Sequence, residues 1–443
     1  MNGSSRSSRL KLLLPLHLTA VVFFTVSGGP YGLEPVLHYV GGHTALLLVL
    51  LTPILWCIPP ILMVLELNSM MPKIGGYYQC VKHALGLKWG FFEGWWSWLY
   101  TFVDLAIYPV LFVQYLSFFF PEVAEYRIVL YLAIIWGCTV LNLFGILPVG
   151  RSSVGLGVGV LVPFGILFAY LLLHGGGHGS LSTFPSPPPS WGFTAFGMGL
   201  YTVMWNFLGW DNSSPFVEEV SQPVRSYLIA IVVAFVLILA VYALSIVAGM
   251  SSGMNSETLS SEGFPSLGLY VGGWWLGALL SVGGMASALG LFLAILLSIS
   301  RVPKAMADDG ILSPTLSKLH PTYGTPQVSL LVCALVVSVM VLWGFADLLI
   351  IDVTLYGCGL ILEFIALIVL RRREPQTPRP FKIPLALPGI VVLTILPSVC
   401  LFVAVAAMFS QENVHINATL FAIASVLSGP IVWAGLRWRK TTP

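Results

Sequence analysis

The chain has 443 residues, of which 57% are hydrophobic and only 9% are charged. Soluble globular proteins contain about 25% charged residues, so this composition excludes a soluble fold and indicates a membrane protein throughout. The formal net charge of +2 reflects membrane topology, as argued below, and does not indicate a nucleic-acid partner.

Hydropathy predicts twelve spans of about 20 residues, the length that crosses a bilayer. In chain order they lie near 11–39, 44–68, 88–119, 127–145, 152–174, 193–219, 226–250, 271–301, 327–344, 348–370, 384–409 and 415–436. The longest connections are predicted at 175–192, 251–270 and 302–326. We therefore predict an all-α polytopic membrane protein that the lipid bilayer surrounds.

The basic residues orient these spans. With the N-terminus inside, all of the 20 Lys and Arg residues except Arg127 fall on the inner side. Cytoplasmic loops are enriched in Lys and Arg, so both termini are predicted to lie in the cytoplasm. We expect the plasma membrane as the location. No loop is long enough to hold a catalytic domain, so we expect no enzyme activity.

The first span is interrupted in its middle by the sequence Ser27-Gly28-Gly29-Pro30-Tyr31-Gly32, and Glu34 follows at once. An unpaired backbone N–H or C=O costs several kcal/mol in lipid, so a break is tolerated only where protein or a water-filled cavity surrounds it. A break beside an acid at membrane depth indicates a substrate or ion site.

The sixth span has a second break, in the stretch from Trp205 to Pro215. Because it lies five spans after the first, the two broken spans enter the membrane from opposite sides, which is typical of an inverted repeat. We expect one transmembrane domain over 1–443, with five-helix halves at 11–174 and 193–370 and two accessory helices at 384–436. The site should lie where the breaks meet near the membrane midplane.

Seven acids are predicted to lie inside spans, whereas no Lys or Arg lies deep in any of them: Glu34, Glu66, Glu93, Asp104, Asp211, Asp352 and Glu363. Buried charge is expensive and normally requires a partner. The missing positive charge is therefore expected to come from the substrate or from a proton, which favours an amine or another cation.

Three of the acids are candidate site residues. Glu34 is expected to anchor an ammonium group, the alternative being a carboxylate that faces water at the outer end of its span. Asp104 lies near the middle of span 3, and its alternative is a protonated acid bonded to a backbone carbonyl. Asp211 is expected to act as a proton-sensitive gate or second amine contact, or to cap the half-helix that begins near Ser213.

The remaining acids divide into two groups. Glu66, Glu93 and Glu363 lie near the inner ends of their spans and are interpreted as structural. Asp352 lies close to the outer end of span 10, where a role in the pathway and a solvated cap remain equally open.

Aromatic residues complete the predicted site. Trp205 and Trp210 flank the second break, and a Trp face can bind a cation with about 2 kcal/mol when desolvated. Tyr100 lies one turn before Asp104 on the same helix face. The full predicted binding set is Ser27, Gly28, Gly29, Tyr31, Glu34, Tyr100, Asp104, Trp205, Asn206, Trp210 and Asp211.

No motif indicates a cofactor or a metal. The G-x-x-x-x-G-K-[ST] pattern of ATP-driven pumps is absent, and the six cysteines form no C-x-x-C pair. His174 and His178 have helical i, i+4 spacing, but three intervening glycines argue against a helix there. We expect no cofactor, and a proton gradient as the driving force.

Several stretches resemble the amino acid–polyamine–organocation superfamily, and in particular its plant L-type amino acid/polyamine uptake group. They are Ser27 to Glu34, Asp104 to Leu111, Trp205 to Asp211, Leu362 to Phe364 and Arg379 to Pro384. The resemblance covers almost the whole chain and implies a LeuT-like 5+5 inverted repeat with two extra helices. It also implies secondary active transport by alternating access.

The resemblance also implies roles for single residues. Trp205 matches an aromatic residue that closes over substrate in a related arginine–agmatine antiporter, and Asp211 matches the gate glutamate of that protein. Asp104 replaces an asparagine there, which fits a substrate with an extra amine. The chain departs from some proton-coupled relatives because 155–163 in span 5 contains no lysine, so Asp211 or Glu34 would have to carry a coupled proton.

Two functions remain open, and a third class is disfavoured. The first is a transporter of polyamines such as putrescine or spermidine, which two acids near one pocket would favour. The second is a carrier of neutral or cationic amino acids, whose carboxylate could bind free N–H groups at Ser27 to Gly29. A membrane enzyme or a channel is disfavoured. An intramembrane protease needs a nucleophile with a base, and Ser and His do not pair at plausible depth; a channel needs rings of like residues from several chains, which one sequence does not show.

Overall fold

The computed structural model describes residues 15–174, 192–215, 223–342, 345–408 and 416–441. Within these ranges the chain is helical and contains no strand. The α-helices are α1 Pro15–Val26, α2 Pro35–Val40, α3 Gly42–Thr52, α4 Ile58–Met70, α5 Gly76–Leu85, α6 Leu87–Leu116, α7 Arg127–Leu143, α8 Ile146–Leu173, α9 Phe193–Asn206, α10 Pro223–Ser252, α11 Ser256–Glu262, α12 Phe264–Gly272, α13 Trp274–Ile299, α14 Arg301–Asp308, α15 Gln327–Met340, α16 Phe345–Arg373, α17 Leu387–Met408 and α18 Ile416–Thr441.

Eight helical segments of the described ranges are long and apolar enough to cross a membrane. The other four predicted spans contain shorter helices. The breaks divide spans 1 and 6, α15 has only 14 residues, and the described apolar part of α18 runs over Leu420–Leu436. The chain is therefore a multi-pass, all-helical membrane protein.

Burial separates central helices from peripheral ones. In the most apolar 18-residue stretches of α6 and of the α13–α14 segment, 72% and 78% of the stretch is buried inside the protein. In the corresponding stretches of α7 and α8 the buried share is only 28% each. Apolar side chains that point outward from a helix of this hydropathy face lipid rather than water. The two breaks and α16 pack around this centre, which places the interrupted backbone away from lipid.

One predicted loop is partly helical. Residues 256–262 and 264–272 form α11 and α12, although 251–270 was predicted to be a connection. Gly263, with φ of +75°, separates the two helices. Of the predicted outer loop 175–192, all but Gly192 lies outside the described residues, as does His178. His174 stacks on Tyr170.

Ion pairs join the helices at the end of the molecule where α4 finishes and α5 begins. Arg371 Nε donates to Glu66 Oε1 over 2.6 Å, and Arg379 Nε lies 3.2 Å from the same oxygen. The structural interpretation of Glu66 therefore fits its contacts. However, the prediction that the intramembrane acids lack basic partners is wrong for this residue, because Arg371 in the last turn of α16 and Arg379 beyond its end both reach it.

Two further pairs lie at this end. Lys82 Nζ contacts both carboxylate oxygens of Asp309 at 2.7 and 2.8 Å. His83 and Glu374 are 2.6 Å apart, and this hydrogen bond lowers the pKa of Glu374. These contacts attach α5 to the segments that follow α14 and α16.

Candidate functional site

The two breaks meet, as the sequence predicted. A Cβ atom on Gly209 would lie only 2.3 Å from the carbonyl oxygen of Thr25, so the backbones of the two broken spans touch at this glycine. Asn206 Nδ2 also donates to the carbonyl of Gly32 over 3.3 Å. The φ of +91° at Gly209 is a second reason for glycine at this position.

Tyr242 on α10 joins the same two segments. Its hydroxyl lies 2.7 Å from Oγ of Ser27 and 2.7 Å from the carbonyl oxygen of Asn206. The sequence analysis did not identify Tyr242, because its span carries no break or acid that would have distinguished it.

Neighbouring side chains satisfy the carbonyl groups that the second break frees. Trp56 Nε1 donates to the Met204 carbonyl over 3.2 Å, and Ser298 Oγ donates to the Asn212 carbonyl. Trp56 belongs to a π-helical turn, Pro53–Cys57, that joins α3 to α4. Because protein groups replace the missing helical bonds, the break can persist at membrane depth.

The backbone amides of the first break are occupied within the protein. The N–H groups of Ser27 and Gly28 donate to the carbonyl of Phe23 at 2.9 and 3.1 Å, and Gly29 N donates to Ser27 Oγ at 3.0 Å. The expectation that these amides are free to bind a carboxylate is therefore wrong for this conformation.

A small cavity lies where the breaks meet. The space that a water molecule could occupy in it is about 10 Å³, enough for about one molecule. The cavity is therefore closed around a volume much smaller than a polyamine or an amino acid. Its walls are Thr25, Val26, Ser27, Asp104, Tyr108, Trp205, Asn206, Leu208 and Leu291.

Asp104 supplies the carboxylate of this cavity. It is the eighteenth of the 30 residues of α6 and is only 3% exposed. Its Oδ1 accepts a hydrogen bond from the Tyr108 hydroxyl at 2.6 Å and from Trp205 Nε1 at 3.3 Å. Both donors stabilise a negative charge, so this geometry does not match the alternative of an acid that donates to a backbone carbonyl.

Trp205 covers one side of the same cavity. A Cβ atom on Gly32 would lie 2.7 Å from the indole ring, so the ring rests directly on the backbone of the first break. Trp205 thus contacts both the acid of α6 and the first broken span.

Glu34 lies beside the first break but does not line the cavity. Its Oε2 accepts from Gly32 N at 2.6 Å, and its Oε1 accepts from Phe264 N and Tyr115 hydroxyl at 3.3 Å each. Glu34 is only 3% exposed, so it is not the water-facing carboxylate of the alternative interpretation. Glu34 connects the first break to the start of α12.

The other predicted residues lie around the cavity and contact neighbouring segments. The Tyr31 hydroxyl donates to the Leu280 carbonyl at 2.6 Å, and the Tyr100 hydroxyl donates to Asn212 at 2.8 Å. Asp211 accepts from Tyr356 at 2.7 Å. Trp210 is also outside the cavity wall and packs near Phe235. The half-helix that Asp211 was expected to cap was predicted to begin near Ser213. The backbone there forms a turn, with Ser214 N donating to the Asp211 carbonyl at 2.8 Å, and residues 216–222 lie outside the described residues.

Two glycines of the predicted set are close-packed. Added Cβ atoms would meet Leu291 at 2.6 Å from Gly28, and Val160 at 2.5 Å from Gly29. They allow α13 and α8 to approach the break. Tyr108 was missed as a cavity residue, although it lies one helical turn after Asp104 and the i, i+4 spacing could have identified it.

Residues 14–433 match the sequence profile described as amino acid permease. The chain belongs to the amino acid permease family. This family lies within the amino acid–polyamine–organocation superfamily to which the sequence motifs pointed. The permease is a transporter and not an enzyme.

Named relatives of the permease include plant polyamine transporters. Polyamine transporter RMV1 of Arabidopsis thaliana is 30% identical over 96% of this chain and 85% of its own length. Probable polyamine transporter At3g19553 of the same plant is 32% identical over 96% and 88% of the two chains. Polyamine transporter PUT1 of rice, Oryza sativa subsp. japonica, is 29% identical over 98% and 80%.

Proposed function

We propose that the permease moves polyamines such as putrescine and spermidine across a membrane by alternating access, driven by a proton gradient. The observation that carries the proposal is the position of Asp104 in the cavity between the breaks, with Trp205 beside it. A desolvated carboxylate attracts an ammonium group, and the Trp ring can add about 2 kcal/mol by a cation–π interaction. The names of the plant relatives support this substrate class.

The amino acid alternative is less favoured by the same cavity. An α-amino acid brings a carboxylate, which Asp104 would repel, and the amides of Ser27 to Gly29 that could bind it have partners within the protein. A diamine brings no carboxylate and requires none of these amides. The alternative remains a specific outcome of the experiment below.

We propose twelve spans in two inverted five-helix halves with two accessory helices. Each of the four predicted spans outside the eight long segments contains an apolar helix, namely α1, α9, α15 or α18. The contact between the two breaks, five predicted spans apart, supports the repeat. The ion pairs of Lys82, Arg371 and Arg379 at one end of the molecule support an inner side there, and hence cytoplasmic termini.

Alternating access would begin from the closed cavity described here. On the proposed inner side, Asn68 Nδ2 donates to Ser214 Oγ at 3.0 Å, and Gly75 N donates to the Pro215 carbonyl at 3.1 Å. On the opposite side, Glu34 joins the first break to α12. Opening one of these two sets while the other holds would expose the cavity to one side at a time.

Transport by the purified protein in liposomes tests the proposal. Uptake of labelled putrescine, spermidine, arginine and leucine is measured with and without an inward proton gradient, and a protonophore serves as the control. We expect saturable uptake of the two polyamines that the gradient stimulates and the protonophore abolishes. If leucine or arginine accumulates while putrescine is neither carried nor competes, the protein is an amino acid carrier and the proposal is wrong.

A further inference from the structure

The interface of α6 and α16 carries polar residues along both facing surfaces. At spacings of three and four residues, α6 presents four polar residues, and α16 presents three with a glycine between them: Glu93, Ser97, Tyr100 and Asp104 on α6, and Asp352, Tyr356, Gly359 and Glu363 on α16. The rings of Tyr100 and Tyr356 are 5.3 Å apart. A Cβ atom on Gly359 would lie 3.0 Å from Glu93 Oε1. These contacts show that the two polar faces meet and that the helices run antiparallel.

Asp352 is the least compensated group of this interface. It is fully buried, and neither of its carboxyl oxygens has a hydrogen-bond partner among the described residues. The sequence analysis left two roles open for Asp352, a residue of the pathway and a solvated cap. This conformation excludes the solvated cap. An ionised carboxylate without a protein donor is costly in such a place, which favours the protonated form of Asp352 while the cavity is closed.

Asp352 lies beside Asp104. Asp104 lies one turn after Tyr100 on α6, and Asp352 lies one turn before Tyr356 on α16. Because the helices are antiparallel, both acids lie on the same side of the contact between the two tyrosine rings. Burial and this register bring the two carboxyl groups to the same level of the interface. Two neighbouring buried carboxyl groups cannot both be ionised, so they share one charge. The donors Tyr108 and Trp205 hold that charge on Asp104, which leaves the proton on Asp352.

Other titratable groups face α16 from each helix packed on it. At the level of Asp352 these groups are Asp104, Tyr100 and Tyr108 of α6, and Tyr201 of α9, whose hydroxyl bonds to Thr354 two residues after Asp352. The described basic side chains of these helices lie at the other end of α16, far from Asp352. The titratable groups toward that end, or on α17, are Glu66, Tyr77, Tyr78, Cys80, Lys82, His83, Lys88, Glu93, Asp211, Glu363, Arg371, Arg372, Arg373 and Cys400.

We propose that Asp352 carries the proton whose movement drives transport, an inference that rests on the proposed function for the proton gradient and for the identity of the cation. With Asp352 protonated, Asp104 remains anionic and can pair with an ammonium group. The carboxylate of Asp352 takes a proton from outer water while the cavity is open, and returns it to inner water after the cavity opens on the other side. This assignment replaces Asp211 and Glu34, whose oxygens accept hydrogen bonds and need no proton.

The Asp352→Asn variant tests the assignment, because its amide resembles a permanently protonated acid. Reconstituted protein is given a proton gradient of two pH units, with the membrane potential held at zero by potassium and valinomycin. One coupled proton allows the wild type up to about 100-fold accumulation of putrescine, since each unit corresponds to a factor of ten. We expect the variant to equilibrate putrescine without accumulation, while exchange of labelled for unlabelled putrescine at equal pH continues.

Glu363→Gln is the matched control, because it removes an acid from the same face of α16 but 11 residues from Asp352. We expect it to accumulate putrescine as the wild type does. The assignment is overturned if Asp352→Asn accumulates substrate normally, if folded Asp352→Asn loses exchange as well, or if Glu363→Gln is equally uncoupled. If Asp352→Asn does not fold, Asp352→Glu decides, since a moved carboxyl should shift the pH profile of accumulation and an unchanged profile would overturn the assignment.

The outcome is separable from that of the proposed function. The wild type alone decides whether putrescine is carried. If the wild type instead accumulates arginine or leucine in a proton gradient, the same variants are compared with that substrate, and the assignment of Asp352 is tested without any assumption about polyamines.

Discussion

Trp205 Nε1 donates a hydrogen bond to Oδ1 of Asp104 over 3.3 Å, and so connects the second broken span to the middle of α6. The same indole rests on Gly32 of the first broken span. A ligand that neutralises Asp104 would therefore act on all three segments at once. This contact offers a direct path from cation binding to movement of the breaks.

The Asp104→Asn variant should lose most polyamine transport. The change keeps the size of the side chain and its position beside Tyr108, but removes the negative charge that would pair with an ammonium group. A hydrogen bond to a charged group contributes about 1.5–3 kcal/mol, so we expect kcat/KM for putrescine to fall by about 10- to 100-fold. Initial uptake rates over a range of putrescine concentrations provide the measurement.

Asp308→Asn is the control for this change, because Asp308 is exposed and pairs with Lys304 on its own helix. Its transport should remain at the wild-type level. Equal loss in both variants would mean that Asp104 acts through general stability or surface charge, and its place in the substrate site would have to be abandoned.

Two substitutions at Trp205 separate the roles of its ring and its N–H group. Phe retains an aromatic face but cannot donate to Asp104, whereas Leu provides neither. If the face binds the cation, putrescine KM should rise by less than about threefold in Trp205→Phe and by about 10-fold or more in Trp205→Leu, on the scale of a cation–π contact. Similar KM values for both variants, at equal expression, would reduce Trp205 to a packing residue.

The sequence identified the location of the site more accurately than the contacts within it. Glycine, proline and acids in apolar segments are visible without a structure, so both breaks and their meeting point could be predicted. Which side chains enter the cavity depends on helix rotation and on long-range packing. Tyr242 and Leu291 reach the breaks from α10 and α13, and no local pattern distinguishes them from ordinary core residues.

Partners of the acids were the least predictable feature. Glu66 looked unpaired because Arg371 and Arg379 are distant in sequence and lie beyond the end of a span. Asp352 looked close to water because its depth was judged from its position along span 10. In the fold it is fully buried at the interface of α6 and α16, and burial of this kind depends on which helices pack together rather than on hydropathy.

Contact between the breaks can be tested by adding one methyl group at Gly209. This residue has a φ of +91°, and a new Cβ would lie 2.3 Å from the Thr25 carbonyl oxygen. Gly86 is the matched control, since its φ is +93° but a new Cβ would meet nothing within 4 Å. We expect Gly86→Ala to lose about 1–2 kcal/mol of stability from backbone strain alone and to transport normally.

Gly209→Ala also places a side chain at a positive φ and, in addition, forces the two broken spans apart. It should therefore show a lower melting temperature in detergent than Gly86→Ala and should transport little or no substrate. Matching melting curves and transport rates for the two alanine variants would contradict the direct contact of the breaks.

The buried pairs of Glu66 give the last prediction. Glu66 is fully buried, and the side chains of Arg371 and Arg379 are 9% and 2% exposed. Removal of one partner from a buried ion pair leaves an uncompensated charge and costs about 3–5 kcal/mol. The Glu66→Gln variant leaves two arginines without their carboxylate, so it should melt well below the wild type.

Asp308→Asn breaks a surface pair instead, which contributes about 0.3–0.5 kcal/mol, and its melting temperature should scarcely change. A melting temperature for Glu66→Gln as high as that of Asp308→Asn would show that the arginines find water or another acceptor, and that this cluster does not hold α4 to the end of α16.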